Sequence, residues 1–196
     1  MYDNAVTYVH HVLGSVLREG DIAVDATMGN GWDTALMADL VGETGTIYGF
    51  DIQEVAVDVT KSRTSGCLAT IRLHQQGHES MSAAVDGPHI GHVRAVTFNL
   101  GYLPGGDKDI TTHADTTLKG LTEARSVLAP DGVITVVCYR HAEGERELSF
   151  VREELSTWPQ DRYTVVEVDF INQRGTPPVV FVVTSLVPEP TSIRIG

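Results

Sequence analysis

Strand and helix patterns alternate along the chain, and the last two strands follow each other without a helix between them. Only residues 171–178 separate these last strands, so they must pair antiparallel. The alternation before them predicts an α/β fold with a doubly wound, mostly parallel sheet that binds ligands at the carboxyl ends of its strands. The predicted strands are 22–25, 46–51, 68–73, 93–98, 133–139, 163–170 and 179–185.

Seven strands with an antiparallel C-terminal strand are the arrangement of class I methyltransferases, a Rossmann-like fold. At this point the likeness is one of fold alone. The chain has 196 residues and no linker of different composition, so residues 1–196 are expected to form a single domain. No run approaches the ~18 apolar residues of a membrane span, and residues 1–4 lack the order of a signal peptide. We therefore expect a cytoplasmic protein with no membrane partner.

Net charge restricts the partners. The chain carries 14 Lys and Arg against 26 Asp and Glu, a formal net charge of -12. No overall field would attract a polyanion. A nucleic-acid partner would therefore need a local basic patch.

The first predicted strand runs into a glycine-rich turn, DATMGNGWDT, at residues 25–34. Gly29 and Gly31 let the backbone approach a ligand, although Thr34 replaces the third glycine of a G-x-G-x-x-G motif. Asp51 ends the next strand, 20 residues after Gly31, where a carboxylate can accept the ribose hydroxyls of an adenosine. This pairing fits either NAD or S-adenosylmethionine, and a glycine turn without a ligand is the plain alternative.

Two carboxylates of the turn favour S-adenosylmethionine. Asp25 lies four residues before Gly29, where it can act on the amino-acid end of this donor, directly or through loop amides and water. NAD would instead bring a pyrophosphate, which Asp25 and Asp33 would repel. The other predicted cofactor-binding residues of this turn are Thr27, Asn30, Gly31, Asp33 and Thr34.

The third strand is followed by HQQGHES at residues 74–80, a loop that would line the adenine pocket. His78 and Glu79 are its candidate cofactor contacts, and a solvated polar turn is the alternative. His74, His78 and Glu79 are also residue types that bind metals. Gly77 argues against the helix that would align them, so no metal site is predicted.

The fourth strand ends in NLGYLPGGDK, residues 99–108, which carries the predicted acceptor chemistry. An amine that accepts a methyl group from a sulfonium has to be neutral, with its lone pair facing the methyl carbon. The amide oxygen of Asn99 and a loop carbonyl can accept the two amine hydrogens, and Tyr102 can stack on a base. We therefore predict Asn99 and Tyr102 as catalytic residues, with Gly101 and Lys108 at the substrate. An Asn-Gly turn with a packed tyrosine is the alternative.

Together these motifs resemble the bacterial and plant MnmM family. The segments that carry the resemblance are VDATMGNG with Asp33-Thr34, YGFDIQ at 48–53, GHE at 77–79, residues 99–108, and Asn172-Gln173 with Pro177-Pro178. The resemblance implies S-adenosylmethionine as donor and the wobble uridine of tRNA as acceptor. The 5-aminomethyl group of this uridine, which is usually a 2-thiouridine, would be methylated to a 5-methylaminomethyl group. It also implies that Asn30, Asp51, Gln53 and His78 contact the donor, and that Asn99 and Tyr102 face the nucleoside.

A stretch after the fifth strand matches the family less closely. His141 and Gly144-Glu145 fit an H-x-x-G-E pattern, but the preceding Cys138-Tyr139-Arg140 departs from it, so His141 is either a substrate contact or a turn residue. Asn172 either borders the acceptor pocket or shapes the hairpin. For the tRNA anticodon region we predict a basic patch at the rim, which a partner subunit in a homodimer could complete. Its members are Lys108, Arg140, His141 and Arg174.

Three other functions stay open from the sequence. One is methylation of a different amine, in an rRNA base or a small molecule. The others are a nucleotide-binding oxidoreductase that uses the same turn and Asp51, and a non-catalytic RNA-binding module.

Overall fold

A computed structural model of the chain describes residues 4–101, 112–140 and 142–186. Seven strands in these ranges form one sheet, and helices cover both of its faces. The strands are β1 (Ile22–Asp25), β2 (Thr46–Asp51), β3 (Thr70–Gln75), β4 (Val93–Leu100), β5 (Leu128–Cys138), β6 (Tyr163–Val168) and β7 (Val179–Ser185). The helices are α1 (Ala5–Val16), α2 (Trp32–Val41), α3 (Glu54–Arg63), α4 (Met81–Ala84), α5 (Ala114–Val127) and α6 (Ala142–Ser156).

The strand order is β3-β2-β1-β4-β5-β7-β6, and β7 runs antiparallel to both of its neighbours. The pairs from β3 across to β5 are parallel. The predicted class I methyltransferase arrangement is confirmed, including the closing hairpin. Because β1, β2, β4 and β5 are parallel, their carboxyl ends meet at one edge of the sheet. None of the described helices is long and apolar enough to cross a bilayer.

Helix α1 packs on the same face of the sheet as α2. It begins after Asn4, whose Oδ1 accepts a hydrogen bond from the Thr7 amide at 2.9 Å and caps the first turn. Val9 and Leu13, one helical turn apart, are buried in the core with Val137 of β5. This packing fixes the position of α1 relative to the central strands.

Four strands have boundaries that differ from the predictions. β4 continues past the predicted 98 to Leu100, and β6 ends at Val168 and not at 170. β5 begins at Leu128 and not at 133, because Leu128 already pairs with Val93 before residues 130–132 bulge out of the ladder. Asp131 has a φ of 62° within this bulge, so the predicted turn lies inside the strand. β3 spans Thr70–Gln75, because each residue of β2 pairs with it in register. The single-turn helix α4 was not predicted, since four residues are too few to show a helical period.

Candidate functional site

A cavity of about 750 Å³ opens at the carboxyl ends of β1, β2 and β4. It lies where the sequence predicts a ligand site for this topology. The predicted site residues that line it are Thr27, Gly29, Asn30, Asp33, Asp51, Gln53, His78, Glu79, Asn99, Gly101 and Arg140. Asp25, Gly31, Thr34 and Asn172 do not line it, and Tyr102, Lys108 and His141 lie outside the described residues.

The turn between β1 and α2 brings backbone to the cavity. Gly29 and Gly31 have φ angles of 50° and 75°, in the left-handed region that favours glycine. A Cβ on Gly31 would lie 2.8 Å from the Cα of Thr60, so this glycine lets the turn pack closely on α3. Gly31 therefore lies on the side of the turn that packs on α3, while Gly29 and Asn30 line the cavity.

Asp51 joins the two loops of the predicted cofactor half. Its Oδ2 accepts a hydrogen bond from the Gly29 amide, and its Oδ1 accepts one from the Gln53 amide, both at 3.0 Å. Each carboxylate oxygen can accept a further hydrogen bond. The side chain is therefore still able to accept ribose hydroxyls from the cavity that it lines.

Asp25 and Thr34 lie beneath the turn. The fully buried Asp25 carboxylate accepts hydrogen bonds from Thr34 Oγ1 at 2.6 Å and from the Thr27 amide at 3.3 Å. Burial, and then the negative charge of Asp33, raise the pKa of Asp25 to about 7. The burial excludes a direct contact between Asp25 and a ligand. An action of Asp25 on the donor through the loop amides stays a prediction. Thr34 was predicted to contact the cofactor, but its hydroxyl donates a hydrogen bond to Asp25.

His78 lines the cavity from a largely buried position. Its Nδ1 lies 3.1 Å from the Ala26 carbonyl oxygen, which can only accept, so Nδ1 carries the proton and Nε2 is the acceptor. Burial lowers the pKa of this imidazole, which favours its neutral form. Its ring meets Phe98 edge to face, with the centroids 5.4 Å apart.

Asn99 is held at the acceptor half by two hydrogen bonds. Its backbone amide donates to Thr27 Oγ1 at 2.7 Å, and its side-chain Nδ2 donates to Asp33 Oδ2 at 2.5 Å. Because an ionised carboxylate only accepts, the amide nitrogen faces Asp33 and the amide oxygen is left for another donor. The other oxygen of Asp33 lies 2.7 Å from His10 Nε2. Asp33, predicted as a cofactor contact, thus connects α1 to Asn99.

The remaining predicted substrate residues are less concentrated at the cavity. Arg140 lines it, but its Nη2 lies 3.2 Å from Asp169 Oδ2 and its Nε lies 3.9 Å from Glu145 Oε1. The positive charge of Arg140, which was predicted to belong to the basic patch, is therefore partly neutralised by these two carboxylates. Asn172 is exposed and outside the cavity, which the same loop reaches through Thr176.

Known proteins that are similar to this chain show its family. A family model described as "Putative rRNA methylase" matches residues 47–184. The chain belongs to this family. A relative from Arabidopsis thaliana, named tRNA (mnm(5)s(2)U34)-methyltransferase, chloroplastic, is 37% identical over 188 residues, covering 90% of this chain and 68% of the relative. The resemblance drawn from the sequence motifs is confirmed.

Solved structures of similar proteins have the same fold. A crystal structure from Clostridium thermocellum, which carries the same rRNA-methylase description, is 38% identical and has a TM-score of 0.89 over 95% of this chain and 100% of that chain. A "putative methyltransferase" from Streptococcus mutans, solved in complex with SAH, is 30% identical and has a TM-score of 0.84, with 95% and 100% covered.

The donor half of the cavity fits S-adenosylmethionine, the cofactor of this family of methyltransferases. The turn after β1 presents glycine backbone, and Asp51 stands at the end of β2 with acceptor capacity left for a ribose. The carboxylates Asp33 and Asp51 suit a cationic sulfonium better than a pyrophosphate. Gly29, Asn30, Asp51 and Gln53 are the residues that would hold the donor.

Two features of the site were not predicted from the sequence. His10 lies 23 positions before Asp33 on a separate helix, and no local pattern connects them. Trp32 is 64% exposed at the cavity wall, and the Arg63 guanidinium carbon lies 3.2 Å from the centroid of its ring. The sequence did offer one signal for Trp32. This large aromatic residue directly follows the glycine turn, where its side chain is not expected to pack in the hydrophobic core.

Proposed function

We propose that this chain methylates the primary amine of 5-aminomethyl-(2-thio)uridine at the wobble position of tRNA, giving 5-methylaminomethyl-(2-thio)uridine. The observation that carries the proposal is the fixed amide of Asn99, which lies in the same cavity as the donor residues Gly29 and Asp51. The name of the Arabidopsis relative, a tRNA (mnm(5)s(2)U34)-methyltransferase, supports this acceptor.

The residues of the site would perform two tasks, binding the methyl donor and orienting the amine. The bound donor supplies a methyl group on a positively charged sulfur. Asp51 and the turn at Gly29 bind its adenosine end, and the Asn99 oxygen accepts a hydrogen of the neutral amine, so that the nitrogen lone pair faces the methyl carbon. The new C–N bond forms as the C–S bond breaks, sulfur keeps the electron pair, and the methylated ammonium then releases a proton to water.

RNA recognition follows from the position of the cavity. An anticodon base has to leave its stack to enter the cavity, as single-stranded RNA bases do when proteins read them. Trp32 at the wall supplies an aromatic surface, and Arg63, whose guanidinium lies over the Trp32 ring, supplies a cation. We also propose that residues 1–196 act as one methyltransferase domain in the cytoplasm and that a homodimer contributes to RNA binding.

The test is methylation of defined RNAs. Purified protein is incubated with S-adenosylmethionine and tRNA from cells that lack this methylation step, and the nucleosides are analysed by mass spectrometry. We expect 5-aminomethyl-(2-thio)uridine to be converted to its methylamino form, and the Asn99→Ala variant to convert far less.

The family description as rRNA methylase makes rRNA the second candidate substrate, so undermethylated rRNA is included in the same assay. Methylation of rRNA alone would overturn the tRNA assignment. Tight tRNA binding without methyl transfer would indicate an RNA-binding module, and preferential binding of NAD over S-adenosylmethionine would indicate an oxidoreductase.

A further inference from the structure

Three side chains from separate parts of the chain form a hydrogen-bonded row next to the cavity. His10 of α1 lies 2.7 Å from Asp33 Oδ1, and Asp33 Oδ2 accepts the Asn99 amide at 2.5 Å. Asp33 and Asn99 line the cavity, whereas His10 does not. We propose that His10 is a positioning residue for the acceptor amine, acting through Asp33 on the amide of Asn99. This inference rests on the proposed amine methylation.

The amide of asparagine needs such a device because its two ends have similar shapes and opposite chemistry. With the oxygen toward the amine, Asn99 accepts a hydrogen and leaves the nitrogen lone pair directed at the donor. In the reversed orientation, Nδ2 would compete for that same lone pair, and the reaction would lose its nucleophile. The Asp33 carboxylate selects the productive orientation, because the reversed one would place two acceptors together at 2.5 Å.

Asp33 in turn needs a second partner to keep its carboxylate plane fixed. His10 and Asn99 each contact a different oxygen of this carboxylate, so together they hold both of its ends. The Asp33 side chain is 12% exposed and that of His10 is 34% exposed, so the row extends from the cavity wall to solvent. Without His10, the carboxylate could rotate and release the amide.

The backbone of His10 is well placed for this task. Its neighbour Val9 and the following turn at Leu13 are fully buried in the core, which anchors the helix on either side of the histidine. The position of Nε2 is therefore set by packing that does not depend on the cavity.

The first experiment measures steady-state methylation of tRNA by His10→Ala. We expect kcat to fall about tenfold, as a misaligned reacting group does, while the dissociation constant of SAH stays within about twofold because His10 lies outside the cavity. His10→Gln can place a donor nitrogen near that of Nε2 and should restore most of the rate. His92→Ala removes an exposed histidine before β4, at the opposite edge of the sheet, and should match the wild type.

A double-mutant cycle separates positioning from stability. If His10 acts through Asn99, His10→Ala will lower kcat only in the wild-type background and will have almost no effect in Asn99→Ala. Equal fold losses in both backgrounds would overturn the proposal. So would loss of SAH binding in His10→Ala, or failure of His10→Gln to recover the rate while the variant remains folded.

A readout without catalysis distinguishes this inference from the proposed function. In wild-type protein the hydrogen bond to Asp33 should shift one of the two side-chain NH2 signals of Asn99 downfield and slow its exchange with water, and His10→Ala should move that signal toward the position of a free amide. If the wild type methylates no tRNA but this change occurs, the proposed substrate is wrong and the positioning role stands. Unchanged Asn99 signals in His10→Ala would refute the positioning role.

Discussion

Three aspartates surround the turn after β1, and their surroundings give them different tasks. Asp25 is buried and holds the turn from below through Thr34. Asp51 accepts hydrogen bonds from the Gly29 and Gln53 amides of two loops, and Asp33 accepts one from the Asn99 side chain. Each task follows from the donors that lie within hydrogen-bond distance of the carboxylate. Substitutions at the three positions should therefore produce different defects.

Asp25→Asn should change the pH dependence of stability. The pKa of this carboxyl is raised from its ordinary value of 3.8 to about 7, so between these values the folded state holds a proton that the unfolded state has lost. Wild-type stability from this group is therefore lost as pH rises toward 7, by up to about 1.4 kcal/mol per pH unit. The asparagine side chain does not titrate; its oxygen can accept from the Thr27 amide and its nitrogen can donate to the Thr34 hydroxyl.

Urea unfolding at several pH values between 5 and 8 measures this effect. The free energy of unfolding of Asp25→Asn minus that of the wild type should increase with pH, up to about pH 7. Using the difference removes the other titrating groups from the comparison. A difference that stays constant over this range would mean that Asp25 is already ionised in the folded protein.

Asp51→Ala and Asn99→Ala should separate donor binding from turnover. Asp51→Ala removes a charged acceptor from two loop amides and from the donor, so SAH binding should weaken about 10- to 100-fold. Asn99→Ala should leave SAH affinity nearly unchanged and lower kcat. Calorimetric titration with SAH and initial rates on tRNA measure the two properties. Equal losses of both in both variants would contradict this division.

Helix α5 packs against the short turn that begins at His78, and a glycine makes the approach possible. Gly120 lies in the middle of α5, where glycine normally weakens a helix. A Cβ at this position would overlap the His78 imidazole and lie 3.2 Å from Phe98 Cε1. The imidazole is itself fixed by the Ala26 carbonyl, so it cannot easily move away.

Alanine at two helical glycines should therefore have opposite effects. Gly120→Ala should lower the free energy of unfolding by about 1–3 kcal/mol through overpacking. Gly14→Ala in α1 is the matched control, because no atom beyond the neighbouring backbone of its own helix lies within 4 Å of the added Cβ, and it should stabilise by about 0.5 kcal/mol. Thermal and urea unfolding at one pH measure both. A stabilising Gly120→Ala would show that α5 and His78 can separate at little cost.

The order of helices and strands could be predicted because it depends on local patterns. The apolar run at 133–139 predicts a buried strand by itself, and the glycines at 29–31 predict a turn by themselves. The bulge in β5 and the partner of Asp33 could not be predicted, since each depends on contacts between distant residues. His10 and Asp33 meet only because α1 and α2 pack side by side on the sheet. The sequence therefore located the cavity, but not all of the side chains that support it.

The net charge of -12 leaves RNA binding dependent on a few cations. Several arginines of the described chain are already paired with carboxylates, including Arg72 with Asp86, Arg140 with Asp169 and Arg152 with Glu167. Arg63 has no described carboxylate as an ion-pair partner, and its Nε donates to the Asn30 carbonyl at 2.7 Å. Its guanidinium is thereby held over Trp32, at the wall of the cavity.

The two tryptophans of the chain allow RNA binding to be observed at this wall. Trp32 is 64% exposed, whereas Trp158 is 6% exposed and packs on Tyr163, so a bound base should quench mainly Trp32. We expect an anticodon stem-loop to quench the fluorescence of SAH-saturated protein, and Trp32→Phe to abolish this change. Arg63→Gln should weaken RNA binding and reduce its salt slope by about one. Arg94→Gln, at the amino end of β4, is the control and should leave both unchanged. Quenching by SAH alone, with no further change on adding RNA, would instead assign Trp32 to the donor half.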